Sequence, residues 1–321
     1  MRLPSVPAAL ERAGERGPVW AEWLDRLPGL AAELLAEWGL VWVPDTAGGG
    51  AWHGHASWVL AVRTETGESA VLKIGLPHEE AEHEHLALRH WGGPQGRGGA
   101  VRLLRADPRR AALLLERLPG GDLQELWDVE ACEIAASLYT RLHVPAPPTL
   151  RPLTTYVERW VGALSSLPRD APLPRRLVEQ AVAVGRDLRT DPATDGLLVH
   201  GDLHYANVLR ANVLAGDDED WVVIDPKPLS GDPHYEVAPL LWNRWDEVVG
   251  ATDARTAVRQ RFHAVVDTAM LDEDRARDWV VLRMVVNAAE AAHPAPAAQP
   301  VRPTDRTWLT TCVTVAKAVQ D

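Results

Sequence analysis

The 321-residue chain is short of several things, and each shortage excludes something. There are two cysteines, Cys132 and Cys312, far apart in sequence. They form neither a disulfide framework nor a metal-ligand spacing, and read as buried thiols in a reducing compartment. No stretch reaches the ~18 apolar residues of a membrane span. The first residues, MRLPSVPAALERAGERG, lack the apolar core of a secretory signal, so a cytoplasmic location with no membrane partner is expected. Basic residues are outnumbered, 33 Lys and Arg against 45 Asp and Glu, for a net charge of −12. Proteins that track a phosphate backbone carry a basic face, so nucleic acid is not an expected partner. An acidic surface would draw a cationic small molecule, although net charge also serves solubility. A single Phe and three Met stand beside 14 Trp; the Trp are scattered, which reads as a compositional habit.

What is present is ordinary for a globular protein: 46% apolar and 24% charged residues, enough for a core without a metal or disulfide staple. The length suits two lobes, two domains or one large domain. No repeat shows at periods of ~20–50 residues. The opening segment reads as helix to Trp38, interrupted near Pro28 and stopped at Gly39, then a strand at Leu40–Val43. A glycine-rich loop, Gly48 to Gly54, precedes two apolar runs, Ala56–Val62 and Ser69–Ile74, joined by Glu65-Thr66-Gly67-Glu68 as a hairpin. A helix is predicted over Pro77–Trp91, then strands at Val101–Leu104 and Ala112–Leu115 around the turn Asp107–Arg110. Beyond the short linker Leu118–Gly121 the pattern becomes helical over Asp122–His143, Leu153–Leu167 and Pro174–Arg189. Two short strands follow, near Leu197–Val199 and Trp221–Ile224, with the acidic run Asp217–Asp220 read as a solvated loop. The rest is mostly helix, broken by a Pro/Ala linker over His293–Pro303. A strand-rich first third and a helix-rich remainder predict an α+β protein, with a small sheet lobe and a larger helical lobe.

Chemistry-bearing residues fall into this frame. Lys73 lies inside the apolar strand Val71-Leu72-Lys73-Ile74, where a lysine either points to water from an edge or has a partner. On the next predicted helix Ala81, Glu84, Leu88 and Trp91 share one face, and the glutamate on that apolar face needs a cation. Lys73 is the natural candidate. Glu82 points away, and Glu80 suits the helix start. A lysine so held can reach phosphate oxygens. Glu80, Glu82, His83 and His85 suggest a metal site, yet a polar solvent face explains them better. The loop Gly48–Gly54 lets backbone N–H groups approach phosphates, and a simple flexible hairpin explains it as well.

The strongest feature is His200-Gly201-Asp202-Leu203-His204-Tyr205-Ala206-Asn207, which follows a strand-like run. Asp202 and Asn207 keep the spacing of the H-R-D-x-x-x-x-N kinase pattern. A carboxylate there can accept or orient the hydroxyl proton of a nucleophile. A neutral amide oxygen nearby can ligate Mg²⁺ without adding negative charge beside phosphates. Asp225, closing the strand Trp221–Ile224, supplies a second oxygen ligand; alone it would pass for a turn residue before Pro226.

On these residues the chain resembles the aminoglycoside phosphotransferase family. His200 to Leu209 is similar to its catalytic loop, and Ile224-Asp225-Pro226-Lys227 to its magnesium aspartate. Val71–Ile74, Gly99–Leu104, Leu114–Leu118 and Gly231-Asp232-Pro233 resemble the streptomycin 6-kinase and hydroxyurea phosphotransferase branch, over about Leu40 to Leu241. The resemblance implies a protein-kinase-like two-lobed fold. Its N-lobe, residues 1–118, would hold five strands and one helix, and its helical C-lobe would span 119–321. It implies that Lys73 contacts the α- and β-phosphates of ATP, braced by Glu84. Backbone groups from Glu116 to Leu118 would bind adenine at the hinge. Asp202 would be the catalytic base, and Asn207 and Asp225 the Mg²⁺ ligands. Gly201 stands where protein kinases have arginine, and Glu236 where the family often has aspartate; a bracing role is expected there.

The expectation is therefore an ATP- and magnesium-dependent phosphotransferase with an alcohol acceptor, a small and possibly cationic molecule such as streptomycin. Asp232, Glu236, Asp246, Glu247 and Glu290 are candidate anionic contacts, or ordinary surface charge. Hydroxyurea, sugars and amino sugars are alternative acceptors. A nucleotide-binding pseudokinase scaffold is disfavoured, since all five polar groups are present. Protein phosphorylation is disfavoured by the missing arginine and the lack of Ala-Pro-Glu after Asp225.

Overall fold

The structure, a computed structural model, describes residues 3–44, 50–93, 98–211, 221–292 and 306–320. The chain divides into two compact units, residues 1–92 with 101–119, and residues 93–100 with 120–321.

The first unit opens with a short helix α1 (Ala8–Glu11) and the long helix α2 (Pro18–Glu37). Pro18 occupies the first turn of α2, where its missing N–H costs nothing. Trp20, Trp23, Leu27, Ala31 and Leu34 recur every three or four residues and are all buried. Pro28 does not interrupt the helix as its sequence suggests. It lies on the exposed side, where the carbonyl left without its N–H partner can meet water, and the apolar stripe keeps the helix docked.

An antiparallel sheet follows. Strands β1 (Val41–Trp42) and β2 (Ala51–His53) both pair with β3 (Ser57–Arg63). Next across the sheet come β4 (Ser69–Gly75), β6 (Ala112–Glu116) and β5 (Leu103–Asp107). Because β1 and β2 lie end to end along β3, the strands fill five positions. Gly48 and Gly49 of the predicted glycine-rich loop lie outside the described residues. Its second half is not loop but β2, and the turn into β3 is closed by Gly54 N–H donating to Ser57 O at 3.0 Å.

Alternation along the strands sorts the sheet into two faces. Trp58, Leu60, Val62, Ala70, Leu72, Ile74, Ala112 and Leu114 form one core with the stripe of α2. The opposite face carries the cross-strand partners Trp52–Val59, Val59–Lys73, Lys73–Leu113 and Val71–Leu115. The helix α3 spans Glu84–Gly92, not Pro77–Trp91. The preceding residues offer no Ser, Thr, Asp or Asn as N-cap and take turns instead, such as Ala81 N–H to His78 O at 3.2 Å. Glu84, Leu88 and Trp91 still share the buried face, while Ala81 falls outside the helix.

In the second unit the single helix predicted over Asp122–His143 is divided. The Asp122 carboxylate accepts from Gln124 N–H at 2.9 Å and caps a 3₁₀ turn, Leu123–Glu125. Extended backbone at Trp127 then restarts the chain as α4 (Asp128–Ser137) and α5 (Tyr139–Leu142). Helices α6 (Leu153–Ser165) and α7 (Arg175–Thr190) approach closely: a Cβ at Gly185 would lie 2.6 Å from Val161 Cγ2. Two ribbons of two strands follow. In one, β7 (Leu197–Val199) pairs with β10 (Leu229–Gly231), and in the other β8 (Val208–Arg210) pairs with β9 (Trp221–Val223). The runs Asp217–Asp220 and His293–Pro303 lie outside the described residues. The remainder is α8 (Val237–Trp242), α9 (Trp245–Gly250), α10 (Ala254–Ala269), α11 (Glu273–Ala292) and α12 (Arg306–Ala318). Consecutive residues of α11 from Trp279 to Ala289 are buried, so this helix is enclosed on all sides and forms the unit's axis. Among the described residues no helix is long and apolar enough to cross a membrane.

Candidate active site

In the first unit, β4 delivers Lys73 to the sheet face opposite the α2 core, and Glu84 opens α3. The Lys73 ammonium donates to both Glu84 oxygens, at 2.6 and 2.7 Å. The residues are 9% and 5% exposed, so each ion is matched inside a nearly dry site. Glu80 and Glu82 are exposed, which settles the choice among the three carboxylates. Glu116 ends β6. Its N–H donates to Arg102 O at 3.0 Å and its carboxylate accepts from Arg102 N–H at 2.7 Å, so both groups are tied to the start of β5. Leu118 lies two residues past the strand and is half-buried. The Arg117 guanidinium lies 5.6 Å from the Trp52 ring centroid.

In the second unit, β7 leads directly into His200, which is fully buried. Its Nε2 donates to Ile224 O at 2.9 Å and its Nδ1 accepts from Asp202 N–H at 3.3 Å, the bonding of a neutral ring. Burial lowers its pKa, although the Glu236 carboxylate pulls the other way. Asn207 Nδ2 donates to Asp202 O at 2.9 Å, which leaves Oδ1 as the oxygen an ion would use. The β8–β9 ribbon pairs Val208 with Val223, and Ile224 N–H donates to Asn207 O at 2.9 Å. Asn207 and Asp225 therefore sit at the same end of one ribbon. Asp225 is left-handed, with φ of 56°, a conformation uncommon outside glycine. The Asp202 carboxylate accepts from the Lys227 ammonium. Burial alone would raise its pKa; the Lys227 charge, helped by His204, more than offsets this and holds it at about 2. The structure thus brings together Lys73 with Glu84 in one unit, and Asp202, Asn207 and Asp225 in the other.

Comparison with known proteins gives these groups a family. The sequence pattern of the aminoglycoside/hydroxyurea antibiotic resistance kinases matches residues 45–294. The chain belongs to that family. It is 38% identical to a streptomycin 6-kinase of Streptomyces glaucescens over 299 residues, 89% of this chain and 91% of the relative. It is 37% identical to a hydroxyurea phosphotransferase of Kitasatospora aureofaciens over 294 residues, 88% of this chain and 78% of the relative. Among solved structures it is similar to an aminoglycoside phosphotransferase in a ternary complex with ADP and hygromycin B. The TM-score is 0.54 and the identity 15%, over 89% of this chain and 97% of that one. The fold is protein-kinase-like, and the protein is a phosphotransferase.

Several residues of this kinase matter more than their sequence signal suggested. Glu236, fully buried, accepts from Gly201 N–H at 2.7 Å through Oε1 and meets His143 Nε2 at 2.7 Å through Oε2. Burial pushes its carboxyl up, but the His143 hydrogen bond leads the effects that bring it below the usual range. Arg283 donates to Gly201 O at 3.2 Å and to Tyr235 O at 2.8 Å. Both backbone groups of Gly201 are thereby fixed, the bracing expected of Glu236. Gly201 has φ of 83°, and a Cβ there would collide with the Lys227 carbonyl, so no arginine can stand in this place. Two suggested anionic contacts are corrected. Glu236 faces inward, and Asp232 accepts from Arg275 Nε and Trp279 Nε1, each at 2.6 Å, inside the fold. Glu247 pairs with Arg244 at 2.7 Å, while Asp246 and Glu290 are exposed. Lys227 and Arg283 gave no signal beyond their charge, because their partners are remote in sequence.

Proposed function

We propose that this kinase transfers the γ-phosphoryl group of ATP, with Mg²⁺, to a hydroxyl of an aminoglycoside such as streptomycin. The observation that carries the reading is the Asp202–Asn207 loop, with Asn207 and Asp225 held at one end of the β8–β9 ribbon. Asp202 is ionised and oriented, as a base must be. It takes the acceptor hydroxyl proton while the hydroxyl oxygen bonds to the γ-phosphorus. The bond from that phosphorus to the bridging β,γ-oxygen breaks, and ADP leaves with its electrons.

Asn207 Oδ1 and the Asp225 carboxylate are hard oxygen donors, the set that Mg²⁺ takes together with phosphates and water. The bound ion would screen phosphate charge. In the first unit Lys73, held by Glu84, binds the α- and β-phosphates. Its face of the sheet offers Trp52, Val59, Val71 and Leu115 as an apolar wall for a purine. Backbone groups from Glu116 to Leu118 hydrogen-bond the base, chiefly those past the Glu116 N–H, which Arg102 already occupies.

Similarity to a streptomycin 6-kinase favours an aminoglycoside acceptor, and similarity to a hydroxyurea phosphotransferase at nearly equal identity gives hydroxyurea as the second reading. An ADP-release assay with Mg-ATP tests both. Its panel holds streptomycin, other aminoglycosides, hydroxyurea and hexoses. Turnover with streptomycin above the no-acceptor rate is expected, and turnover with hydroxyurea alone would move the assignment to the second reading.

A further inference from the structure

We infer that Lys227 is a positioning residue for phosphoryl transfer, fixing the Asp202 carboxylate so that one oxygen is held and the other faces the acceptor hydroxyl. The inference rests on the kinase reading and adds a residue to it.

Three contacts join Lys227 to the His200–Asp202 segment. Its N–H donates to His200 O at 2.8 Å. Its carbonyl packs so close to Gly201 that only a residue without a side chain fits there. Its ammonium donates to Asp202 Oδ2. The turn that places it is unusual in itself: Asp225 is left-handed at φ of 56°, and the ring of Pro226 fixes its own φ. The Asp-Pro-Lys turn and the His-Gly-Asp loop are therefore built against each other, and the lysine is the only side chain of the turn that reaches Asp202 by a hydrogen bond among those described.

The arrangement answers a need. An Asp side chain has two rotatable bonds, and a base acts only within hydrogen-bond reach of its proton in a defined pose. Backbone contacts hold the main chain of Asp202: its N–H goes to His200 Nδ1 and its carbonyl receives Asn207 Nδ2. Neither fixes the carboxylate. Among the described hydrogen bonds, Lys227 alone does so, and it leaves Oδ1 as the oxygen available to a substrate. With the side chains 33% and 21% exposed, the pair is sheltered enough to persist yet open enough for Asp202 to meet an acceptor.

Steady-state kinetics with Mg-ATP and the accepted substrate test this. Four proteins are compared: wild type, Lys227→Met, Lys227→Arg, and Lys227→Met combined with Asp202→Asn. Lys227→Met is expected to lower kcat at least 30-fold, with KM for acceptor and Kd for ADP within threefold of wild type. Lys227→Arg is expected to regain at least tenfold of that loss. In the Asp202→Asn background, Lys227→Met is expected to cost less than threefold, because its effect passes through the carboxylate. Any of three results would overturn the inference: kcat of Lys227→Met within threefold of wild type, a kcat loss matched by an equal loss of ADP binding, or an undiminished effect in the Asp202→Asn background. ADP binding by each variant reports whether it is folded. Absence of turnover by the wild type on every acceptor would instead overturn the kinase reading, and the inference with it.

Discussion

Each unit contains a lysine paired with a carboxylate, and in the proposed function the two pairs work in opposite senses. In Lys73–Glu84 the proposed working group is the lysine, with the carboxylate as its brace: both ions are almost wholly buried, and both oxygens are used on one ammonium. In Asp202–Lys227 the proposed working group is the carboxylate, with the lysine as its brace: one oxygen is used, the other is left, and both side chains keep partial exposure. The same chemical pair is thus closed on both carboxylate oxygens when almost wholly buried and leaves one oxygen open when part-exposed, which suits the two roles proposed for it.

The sharpest break between the pairs should come from removing the working groups. Asp202→Asn, assayed by ADP release with the accepted substrate, should lose about 100- to 10,000-fold in kcat, the usual contribution of a general base. Nucleotide binding should stay near wild type. Lys73→Met should show the reverse balance, with a large rise in Kd for ATP by calorimetry, because a phosphate contact is lost. Removing the first brace is expected to do less. Glu84→Gln keeps a hydrogen bond to Lys73 but loses the charge, a change of about 1.5–3 kcal/mol for a charge-assisted bond. That is roughly a tenfold to hundredfold rise in Kd for ATP, since about 1.4 kcal/mol is tenfold.

Further from the reacting groups, Glu236→Gln should act on stability before activity. It leaves His143 without a carboxylate and weakens the hold on Gly201, so the thermal midpoint should fall by several degrees while Kd for ATP is unchanged. The smallest effect concerns pH. His200 is buried and His204 half-buried, and desolvation is the chief cause lowering the pKa of both. Their folded pKa lies below the unfolded value, so below about pH 6.5 the unfolded chain takes up protons that the folded one refuses. Stability should be complete above that value and decline as pH falls towards the folded pKa. Urea midpoints measured from pH 7.5 down to 5.5 would show it, and a flat profile would contradict neutral buried rings.

Much of this was legible from sequence, for identifiable reasons. The hairpin of β3 and β4 declares itself by two apolar runs and its Gly67 turn, and the Lys73–Glu84 pair by a charge on an apolar face. The His200–Asn207 loop is legible because its spacing is fixed by chemistry over eight consecutive residues. What failed was governed by contacts that no local pattern records. Pro28 looks like a helix interruption until the apolar stripe of α2 is seen docked on the sheet. β8 (Val-Leu-Arg) and β10 (Leu-Ser-Gly) are as short as β7 and β9 but lack the unbroken apolar run that marks those two. Asp232 looks like a surface acid until Arg275 and Trp279 enclose it from a distant part of the chain, and the bracing expected of Glu236 shows no partner in the sequence until His143 is seen beside it. Lys227 was written into the Asp-Pro-Lys turn, but its pairing with Asp202 depends on how closely Gly201 lets two loops approach.

In the proposed function Asp202 directs a γ-phosphoryl group onto an acceptor hydroxyl. Phosphorus NMR of a reaction containing Mg-ATP and streptomycin tests it most directly. A new phosphomonoester resonance on streptomycin should grow in step with ADP, and at least about 100-fold more slowly with Asp202→Asn. A phosphomonoester formed equally well by Asp202→Asn, or ADP and inorganic phosphate formed with no phosphorylated acceptor from any member of the panel, would contradict it.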